Sequence, residues 1–417
     1  MSPRAALGLL LTLLAFLTPL ACDRPRPATP DVTIRLWAIG REGEVVRQLL
    51  PEFERTHPGI HVREQQIPFT AAHEKLLTAY VGNAMPDVAQ LGNSWIAEFA
   101  SLGALVRLND RPIDAADYFP GIWETNRLGD TLYGIPWYVD TRLVFYRSDE
   151  IPPPFPATWT PWEAAMRRVS GKGRFALLAP INEWATPVVL ALGLGAPMLR
   201  DSARYGDFEE PRFRRAFHFY VSLFRDSLAP PVSNTAIANR YQSFGAGDFA
   251  STITGPWDVG EYTRRLPPAF ASRWTTAPMP APDGDPTPGA SLAGGSSLVI
   301  FRGSPHQDAA WALIAYLSDT ARQLELYHLS GDLPPRRSAW QDTSLAADPK
   351  FRAFRTQLDH VVALPKIPEI EQICITIANY AEATVHGAMT EDAALAALDH
   401  DVDHILEKRR SMMARGH

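Results

Sequence analysis

Cysteine and lysine are both scarce in this sequence of 417 residues, and each scarcity excludes a class of protein. The two cysteines, Cys22 and Cys374, are too few for the disulfide framework of a small secreted scaffold. Only five of the 40 basic residues are lysine, the arginines are scattered along the chain, and the formal net charge is −6. A nucleic-acid partner bound through phosphate contacts is therefore not expected.

Long apolar runs are missing except near the N-terminus. The basic residue Arg4 precedes an apolar stretch from Ala6 to Leu17, which is the order found in export signals. The stretch is too short to span a bilayer comfortably, and polar sequence follows at once. We therefore predict a signal peptide at residues 1–21.

Cys22 resembles the cysteine of bacterial lipoprotein signals, which becomes the lipid-modified first residue of the mature protein. Ala21 suits that pattern, whereas Pro19 stands where leucine is usual. An ordinary secretory cleavage nearby is the alternative. The proline-rich residues 22–31 would form a semi-rigid tether behind the lipid-anchored cysteine.

The sequence as a whole has the composition of a soluble globular protein, with 46% hydrophobic and 21% charged residues, and its length suits two domains. Strand-like segments at Val32 to Ile39, Ile60 to Ile67 and Asp87 to Leu91 alternate with helical segments. This order predicts an α/β fold with open, mainly parallel sheets flanked by helices and ligands bound at the carboxyl ends of the strands. No G-x-G-x-x-G follows the first strand, so nucleotide binding has no support.

Six motifs occur in the order expected of one family. They are LWAIGREGEVV with PEFERTHPGI, PDVAQLGNSWIAEFA, YGIPWYVDTRLVFYR, GPWDVGEY, LAGGSSLVI and SGDLPPRRS. Together they resemble the sugar-binding proteins of bacterial ABC importers, of the maltose-binding and trehalose/maltose-binding type. The resemblance covers about residues 32 to 410 and implies two α/β lobes that close over a ligand in the cleft between them.

The resemblance also implies where the chain crosses between the lobes. The crossings are expected near Val139-Asp140, Ser291 to Gly294 and Asp332 to Pro335. The expected lobe boundaries follow from these crossings: residues 32–139 plus 293–333 for lobe 1, and residues 140–292 plus 334–417 for lobe 2.

Polar residues at the predicted strand ends are the first candidates for holding a sugar, because charge-assisted hydrogen bonds to hydroxyls are strong. The resemblance places a sugar-binding carboxylate at Asp140, and Tyr138 lies on the same side of an extended chain. Glu42 matches a family position at the start of the first helix, although a carboxylate there also suits the helix dipole. Gln66 and Asn93 end the second and third strands.

Aromatic and small residues complete the predicted site. The C–H faces of a sugar pack well on aromatic rings, for which Trp257 is the best candidate and Trp184 a second. Gly295 and Ser296 let the backbone come close to a ligand. Arg336 matches an arginine that some family members use on the sugar.

The expected ligand is a small sugar, a mono- or disaccharide, because Cys374 stands about where maltose-binding relatives have a stacking tryptophan. Two alternatives stay open. One is an exported glycoside hydrolase with Asp140 and Glu42 as an acid/base pair; the other is a binding protein for a polyamine or iron(III). The main interpretation predicts a monomer without cofactor, catalysis or bound metal, whose partners are the permease subunits of an ABC importer and the membrane.

Overall fold

A computed structural model of the chain describes residues 31–237 and 239–415. The predicted signal peptide at residues 1–21, the predicted lipidation site Cys22 and all of the tether but its last residue lie outside the described residues. Within the described ranges, no helix is both long enough and apolar enough to cross a membrane.

Strands and helices alternate along the described chain. The strands are β1 (Val32–Ile39), β2 (Ile60–Ile67), β3 (Val88–Gly92), β4 (Arg127–Leu128), β5 (Thr131–Leu132), β6 (Gly134–Asp140), β7 (Leu143–Arg147), β8 (Phe175–Leu178), β9 (Leu199–Arg200), β10 (Tyr205–Gly206), β11 (Phe249–Thr254), β12 (Trp274–Ala277), β13 (Ser291–Leu292), β14 (Gly294–Ile300) and β15 (Val361–Val362). The α-helices are α1 (Gly40–Thr56), α2 (Phe69–Val81), α3 (Ile96–Ser101), α4 (Pro120–Glu124), α5 (Trp159–Val169), α6 (Ala185–Gly193), α7 (Pro211–Arg225), α8 (Arg240–Ala246), α9 (Trp257–Arg265), α10 (Gln307–Leu317), α11 (Thr320–Ser330), α12 (Thr343–Ala346), α13 (Pro349–Leu358), α14 (Ile370–Val385), α15 (Glu391–Ile405) and α16 (Glu407–Ala414).

The first lobe is built on a five-stranded sheet with the order β2-β1-β3-β14-β6. Every second residue of the inner strand β1 is apolar and buried, as Ile34, Leu36 and Ala38 show. This period of two places the three side chains on one face, where they pack against the buried side of α1. β1 runs parallel to β2 and β3, whereas β14 runs antiparallel to β3 and β6.

The second lobe is built on a four-stranded sheet with the order β12-β7-β11-β8. β11 runs parallel to β8, whereas β7 runs antiparallel to both β11 and β12. The two-lobe α/β fold predicted from the sequence is confirmed. In each sheet the strand that arrives from the other lobe, β14 in the first and β7 in the second, runs opposite to the remaining strands.

The chain passes between the two sheets along neighbouring segments. β6 ends the first sheet at Asp140, and β7 opens the second sheet three residues later. The returning strand β14 pairs Gly294 with Asp140, and the backbone N–H of Val139 donates to the carbonyl of Leu333 at 2.9 Å. These are the segments at which the crossings were expected; the lobe boundaries themselves stay a prediction.

Helix α1 carries one of the predicted site residues to the edge of the first sheet. It begins at Gly40, directly after β1, and Gly40 has a φ of +62°, a conformation that favours glycine. The helix is continuous through Pro51 to Thr56. Glu42 therefore lies in its first turn, at the carboxyl end of the parallel strands.

Candidate ligand site

A cavity of about 370 Å³ lies between the two lobes. The first lobe contributes the carboxyl ends of β3 and β6 and the start of β14 to its lining. The second lobe contributes the segments that lead into α6 and α14. Its lining residues are Phe69, Gly92, Asn93, Ser94, Trp95, Ala97, Thr125, Tyr138, Asp140, Arg142, Glu183, Trp184, Leu292, Ala293, Gly294, Gly295, Ser296, Ala363, Leu364, Pro365, Lys366 and Glu371.

One side of the cavity is a neutral wall, formed by Asn93, Tyr138, Gly295 and Ser296. The Asn93 side chain is fixed twice: its Nδ2 donates to the Gly294 carbonyl at 3.2 Å, and its Oδ1 accepts from the Ser297 hydroxyl at 2.8 Å. Because both partners lie on β14, the register between β3 and β14 sets the position of this amide.

Tyr138 and Ser296 face each other across the β6–β14 pair of the neutral wall. The Ser296 hydroxyl donates to the Tyr138 hydroxyl at 3.0 Å, and the buried amide of Gln90 donates to both oxygens at 3.3 Å. The Gln90 Oε1 in turn accepts from the backbone N–H of Ile39 at 2.7 Å. This chain of hydrogen bonds holds the wall rigid, since breaking one bond leaves a buried polar group unpaired.

A charged cluster of Asp140, Arg142 and Glu183 adjoins the neutral wall. The Arg142 guanidinium donates to Asp140 at 2.8 Å and to Glu183 at 3.3 Å, which joins the end of β6 to the loop before α6. Its side chain is 12% exposed, whereas those of Asp140 and Glu183 are 30% and 28% exposed. The guanidinium also lies 4.6 Å from the ring centroid of Trp257.

Burial raises the pKa of Asp140, and the neighbouring Arg142 guanidinium acts against that rise by favouring the ionised form. The carboxylate is thus crowded by protein on most sides while one guanidinium compensates its charge. Such a carboxylate is a strong acceptor for a ligand hydroxyl, because its charge strengthens the hydrogen bond.

Two polar contacts tie elements on either side of the cavity to each other. The Ser94 hydroxyl, just after β3, donates to the Glu371 carboxylate in the first turn of α14. The Lys366 ammonium donates to the carboxylate of Glu124, at the end of α4. The lobes are therefore close enough in this structure for side chains to meet across the cleft.

A pair of carboxyl groups, Glu42 and Asp332, lies beside the neutral wall, next to the Tyr138 hydroxyl. Burial, with the Asp332 carboxyl beside it, raises the pKa of Glu42 to about 8, and burial raises the pKa of Asp332 as well. Two adjacent acids in a buried place share a proton more readily than they ionise together. Among the described residues, no group of three or more His, Cys, Asp or Glu side chains is placed to hold a metal ion.

Residues 38–323 match the model of a family described as bacterial extracellular solute-binding proteins. The chain belongs to this family. The match covers more than half of the chain and confirms the family-level resemblance carried by the sequence motifs.

Relatives of this solute-binding protein extend over nearly its whole length. It is 45% identical to the sugar-binding protein MalE from the phytopathogen Xanthomonas citri, whose structure superposes with a TM-score of 0.89 over 92% of this chain and 99% of that one. It is 24% identical to the mannitol-binding protein of Pseudomonas aeruginosa over 84% of this chain and 88% of the relative. It is 27% identical to an uncharacterized lipoprotein of Streptomyces antibioticus over 82% of this chain and 77% of the relative.

The structure brings six of the ten sequence-predicted ligand residues of this solute-binding protein into the cavity lining. They are Asn93, Tyr138, Asp140, Trp184, Gly295 and Ser296. Their direct contact with a ligand stays a prediction, but the strand ends, the family motifs and the aromatic candidates converge on one place in the fold.

The other four predicted residues lie outside the lining, each for a visible reason. Glu42 faces the Asp332 carboxyl and the Tyr138 hydroxyl, and the Gln66 amide donates to the Gly40 carbonyl at 2.7 Å. Arg336 forms an ion pair with Asp117 at 3.1 Å, donates to a backbone carbonyl and covers a tyrosine ring. Trp257 carries the guanidinium of Arg142 on its ring.

Several lining residues were not among the sequence-predicted ligand residues. Phe69 opens α2 two residues after the end of β2, and Ser94 and Glu183 each adjoin a residue that was predicted. Arg142 belongs to the same polar cluster as Asp140 in YGIPWYVDTRLVFYR. The density of polar and aromatic residues around each predicted position was the signal that could have identified them.

Proposed function

We propose that this solute-binding protein captures a short, neutral sugar between its two lobes and delivers it to the membrane subunits of an ABC importer. The observation that carries the proposal is the cavity itself, in which a fixed amide and hydroxyl wall adjoins ion-paired carboxylates and aromatic side chains. Hydroxyl-rich ligands need polar groups for their edges and apolar surface for their ring faces, and the lining supplies both.

The size of the cavity supports a short ligand. Its volume of about 370 Å³ lies near the lower end of the ~300–1,000 Å³ range of small-molecule sites. The 45% identity to the sugar-binding protein of Xanthomonas citri supports a sugar rather than a polyamine or iron(III). A mono- or disaccharide is therefore the proposed substrate class.

Capture requires no chemistry on the ligand. A sugar that binds the first lobe gains further hydrogen bonds when the second lobe closes, so the ligand shifts the population toward the closed form. The contact between Ser94 and Glu371 is one that closure would make and opening would break. In this account the carboxylates act as hydrogen-bond acceptors.

The proposed location is the outer face of the cytoplasmic membrane, with lipid at Cys22 and residues 22–31 as the tether. The family of extracellular solute-binding proteins and the lipoprotein relative from Streptomyces antibioticus support this location. The protein is proposed to act as a monomer that docks on the permease.

A thermal-shift screen of the mature chain against mono- and disaccharides tests the proposal. Ligand at ~100 times its Kd should stabilise the folded state by about 2.7 kcal/mol and raise the melting temperature. A polyamine panel and an iron(III) panel provide the comparison. Stabilisation by either panel and by no sugar would contradict the proposed substrate class.

The same samples test the hydrolase alternative, which a raised pKa at Asp140 would favour, since a glycosidase needs one protonated carboxyl. Chromatography of a bound disaccharide after prolonged incubation should recover it intact. Release of monosaccharides that disappears in Asp140→Asn would overturn the binding-protein account.

A further inference from the structure

Three acidic side chains line the cavity, and they differ in what surrounds them. Asp140 and Glu183 share one guanidinium, that of Arg142, at 2.8 and 3.3 Å. Two carboxylates and one guanidinium give the charged cluster one negative charge in excess. The lining is therefore negative already before Glu371, its third acidic residue, is counted.

Glu371 lies in the first turn of α14, where the helix dipole favours a negative charge. Its carboxylate accepts a hydrogen bond from the Ser94 hydroxyl, which is uncharged. Both basic side chains of the lining pair with other acids, Arg142 within the charged cluster and Lys366 with Glu124. Glu371 therefore brings a second excess negative charge to the cavity.

One histidine lies near this carboxylate but is held by another acid. The Glu98 carboxylate, at 2.5 Å from the His73 imidazole, raises the pKa of His73 by hydrogen bonding, and the charge of Glu371 adds to that rise. A protonated His73 is thus matched by Glu98 and gives Glu371 no net positive charge.

We propose that Glu371 is a specificity-determining residue of the sugar site, which repels a ligand that carries a carboxylate or phosphate group and attracts one that carries an ammonium group. Charges in a cavity act on each other over several ångströms, because protein replaces much of the water between them. The expected ligands are neutral sugars and amino sugars, whereas uronates and sugar phosphates are excluded. The inference rests on the proposed function and adds the charge of the ligand to it.

Glucuronate, glucose and glucosamine test this selection, since they are similar in size and are anionic, neutral and cationic at about pH 6.5. Glu371→Gln keeps the size of the side chain and removes its charge. It should raise the ratio of glucuronate affinity to glucose affinity at least fivefold and lower the ratio of glucosamine affinity to glucose affinity at least threefold in calorimetric titration. Maltose and maltose 6′-phosphate form a second neutral and anionic pair, for a site that requires a disaccharide.

Ser94→Ala separates the charge of Glu371 from its hydrogen bond across the cleft. This variant loses the bond but keeps the charge, so all affinities should fall together and both ratios should stay within about twofold of the wild type. If Glu371 acts only through that bond, Glu371→Gln would likewise leave both ratios unchanged, which would overturn the inference. Glu382→Gln, on α14 but outside the lining, makes the same change in net charge and should leave both ratios and the affinities unchanged.

Glu371→Ala serves where Glu371→Gln fails to fold, because alanine favours a helix, and the same opposite changes in the two ratios are expected. A wild-type protein that binds no mono- or disaccharide of the thermal-shift screen would contradict the proposed function. A protein that binds neutral sugars but shows unchanged ratios in Glu371→Gln would contradict only the role of Glu371, so the two failures are distinguishable.

Discussion

The neutral wall of the cavity is held by buried hydrogen bonds between strands, whereas the charged cluster is held by ion pairs that solvent partly reaches. In the neutral wall, Asn93 and Ser296 are 7% and 4% exposed and lie on strands whose register fixes them. In the charged cluster, Asp140 is 30% exposed, and its partner Arg142 follows the end of β6.

The two regions therefore contribute differently to binding: the neutral wall sets the shape of the cavity, and the charged cluster adds affinity. A wall fixed by backbone register keeps its form whether or not a ligand is present, so it can select which sugar outline fits. A cluster of partly exposed charges supplies strong hydrogen bonds, but its geometry depends on a few side chains. Substitutions in the neutral wall should therefore affect both folding and binding, while substitutions in the charged cluster should affect mainly binding.

Gly295→Ala should produce the largest effect, because it breaks the neutral wall at its backbone. Gly295 has a φ of +118°, and a Cβ there would lie 2.3 Å from the Tyr138 carbonyl oxygen. We expect the free energy of unfolding to fall by about 3 kcal/mol and sugar binding to weaken at least 100-fold. Urea unfolding and calorimetric titration measure the two effects.

Gly303→Ala is the matched control, since no described atom beyond its own two chain neighbours lies within 4 Å of the position that the added methyl group would take, and its φ is not positive. Its free energy of unfolding should stay within about 0.5 kcal/mol of the wild type. Equal stability of the two variants would contradict the close approach of β14 and β6.

Asp140→Ala should break the charged cluster with little loss of stability. It removes a charge-assisted acceptor and leaves Arg142 with Glu183 alone. Such bonds contribute about 1.5–3 kcal/mol each, so the Kd for the sugar should rise by about 100-fold in calorimetric titration. Asp110→Ala, at an exposed position of the first lobe, should leave the Kd unchanged. A Kd shift below threefold in Asp140→Ala would remove this residue from the site.

Glu42→Gln tests whether the Glu42 carboxyl beside the neutral wall keeps its proton in the folded state. The pKa of Glu42 is raised from 4.5 to about 8 by burial and by the Asp332 carboxyl. Between these two pH values the unfolded chain loses a proton that the folded chain keeps, so stability falls as the pH rises, by up to about 1.4 kcal/mol per pH unit. Glu42→Gln has no such proton and should show a flatter slope.

Urea unfolding at several pH values between about 5 and 8 measures this slope. Glu44→Gln, at an exposed position of the same helix α1, should retain the wild-type slope. Identical slopes in the wild type and Glu42→Gln would mean that Glu42 is ionised throughout this range.

Phe69→Ala should give the smallest effect, because it removes only an apolar contact at the mouth of the cavity. The ring is 67% exposed, and loss of a stacking partner contributes about 1 kcal/mol, so the Kd should rise about fivefold. Val81→Ala, at an 83% exposed position at the other end of α2, should bind as the wild type does. An increase in Kd as large as that of Asp140→Ala would mean that Phe69, and not the charged cluster, contributes most of the affinity.

The sequence was sufficient to predict the fold and to single out the residues of the neutral wall, although the hydrogen bonds of that wall join distant segments. The strand-end argument led to Asn93, whereas Tyr138 and Ser296 were found through the family motifs that contain them. The family motifs added the order of the segments. The position of Asp140 at the junction of the two sheets followed from the same motifs.

The charged cluster was predicted only in part: Asp140 was among the predicted ligand residues, whereas Arg142 and Glu183 were not. The ion pair between Arg142 and Glu183 spans 41 positions, and no local pattern marks it. Arg336 failed to reach the cavity for a similar reason, since Asp117, which binds it, lies 219 positions away. Residue type alone could not show which partner each arginine would meet.

A crystal structure of the chain with the sugar found in the thermal-shift screen tests the central claim most directly. The account predicts that the sugar lies between the neutral wall and the charged cluster, with hydroxyls within hydrogen-bonding distance of Asp140 and Asn93. A sugar bound at any other surface, with this cavity left unoccupied, would contradict it.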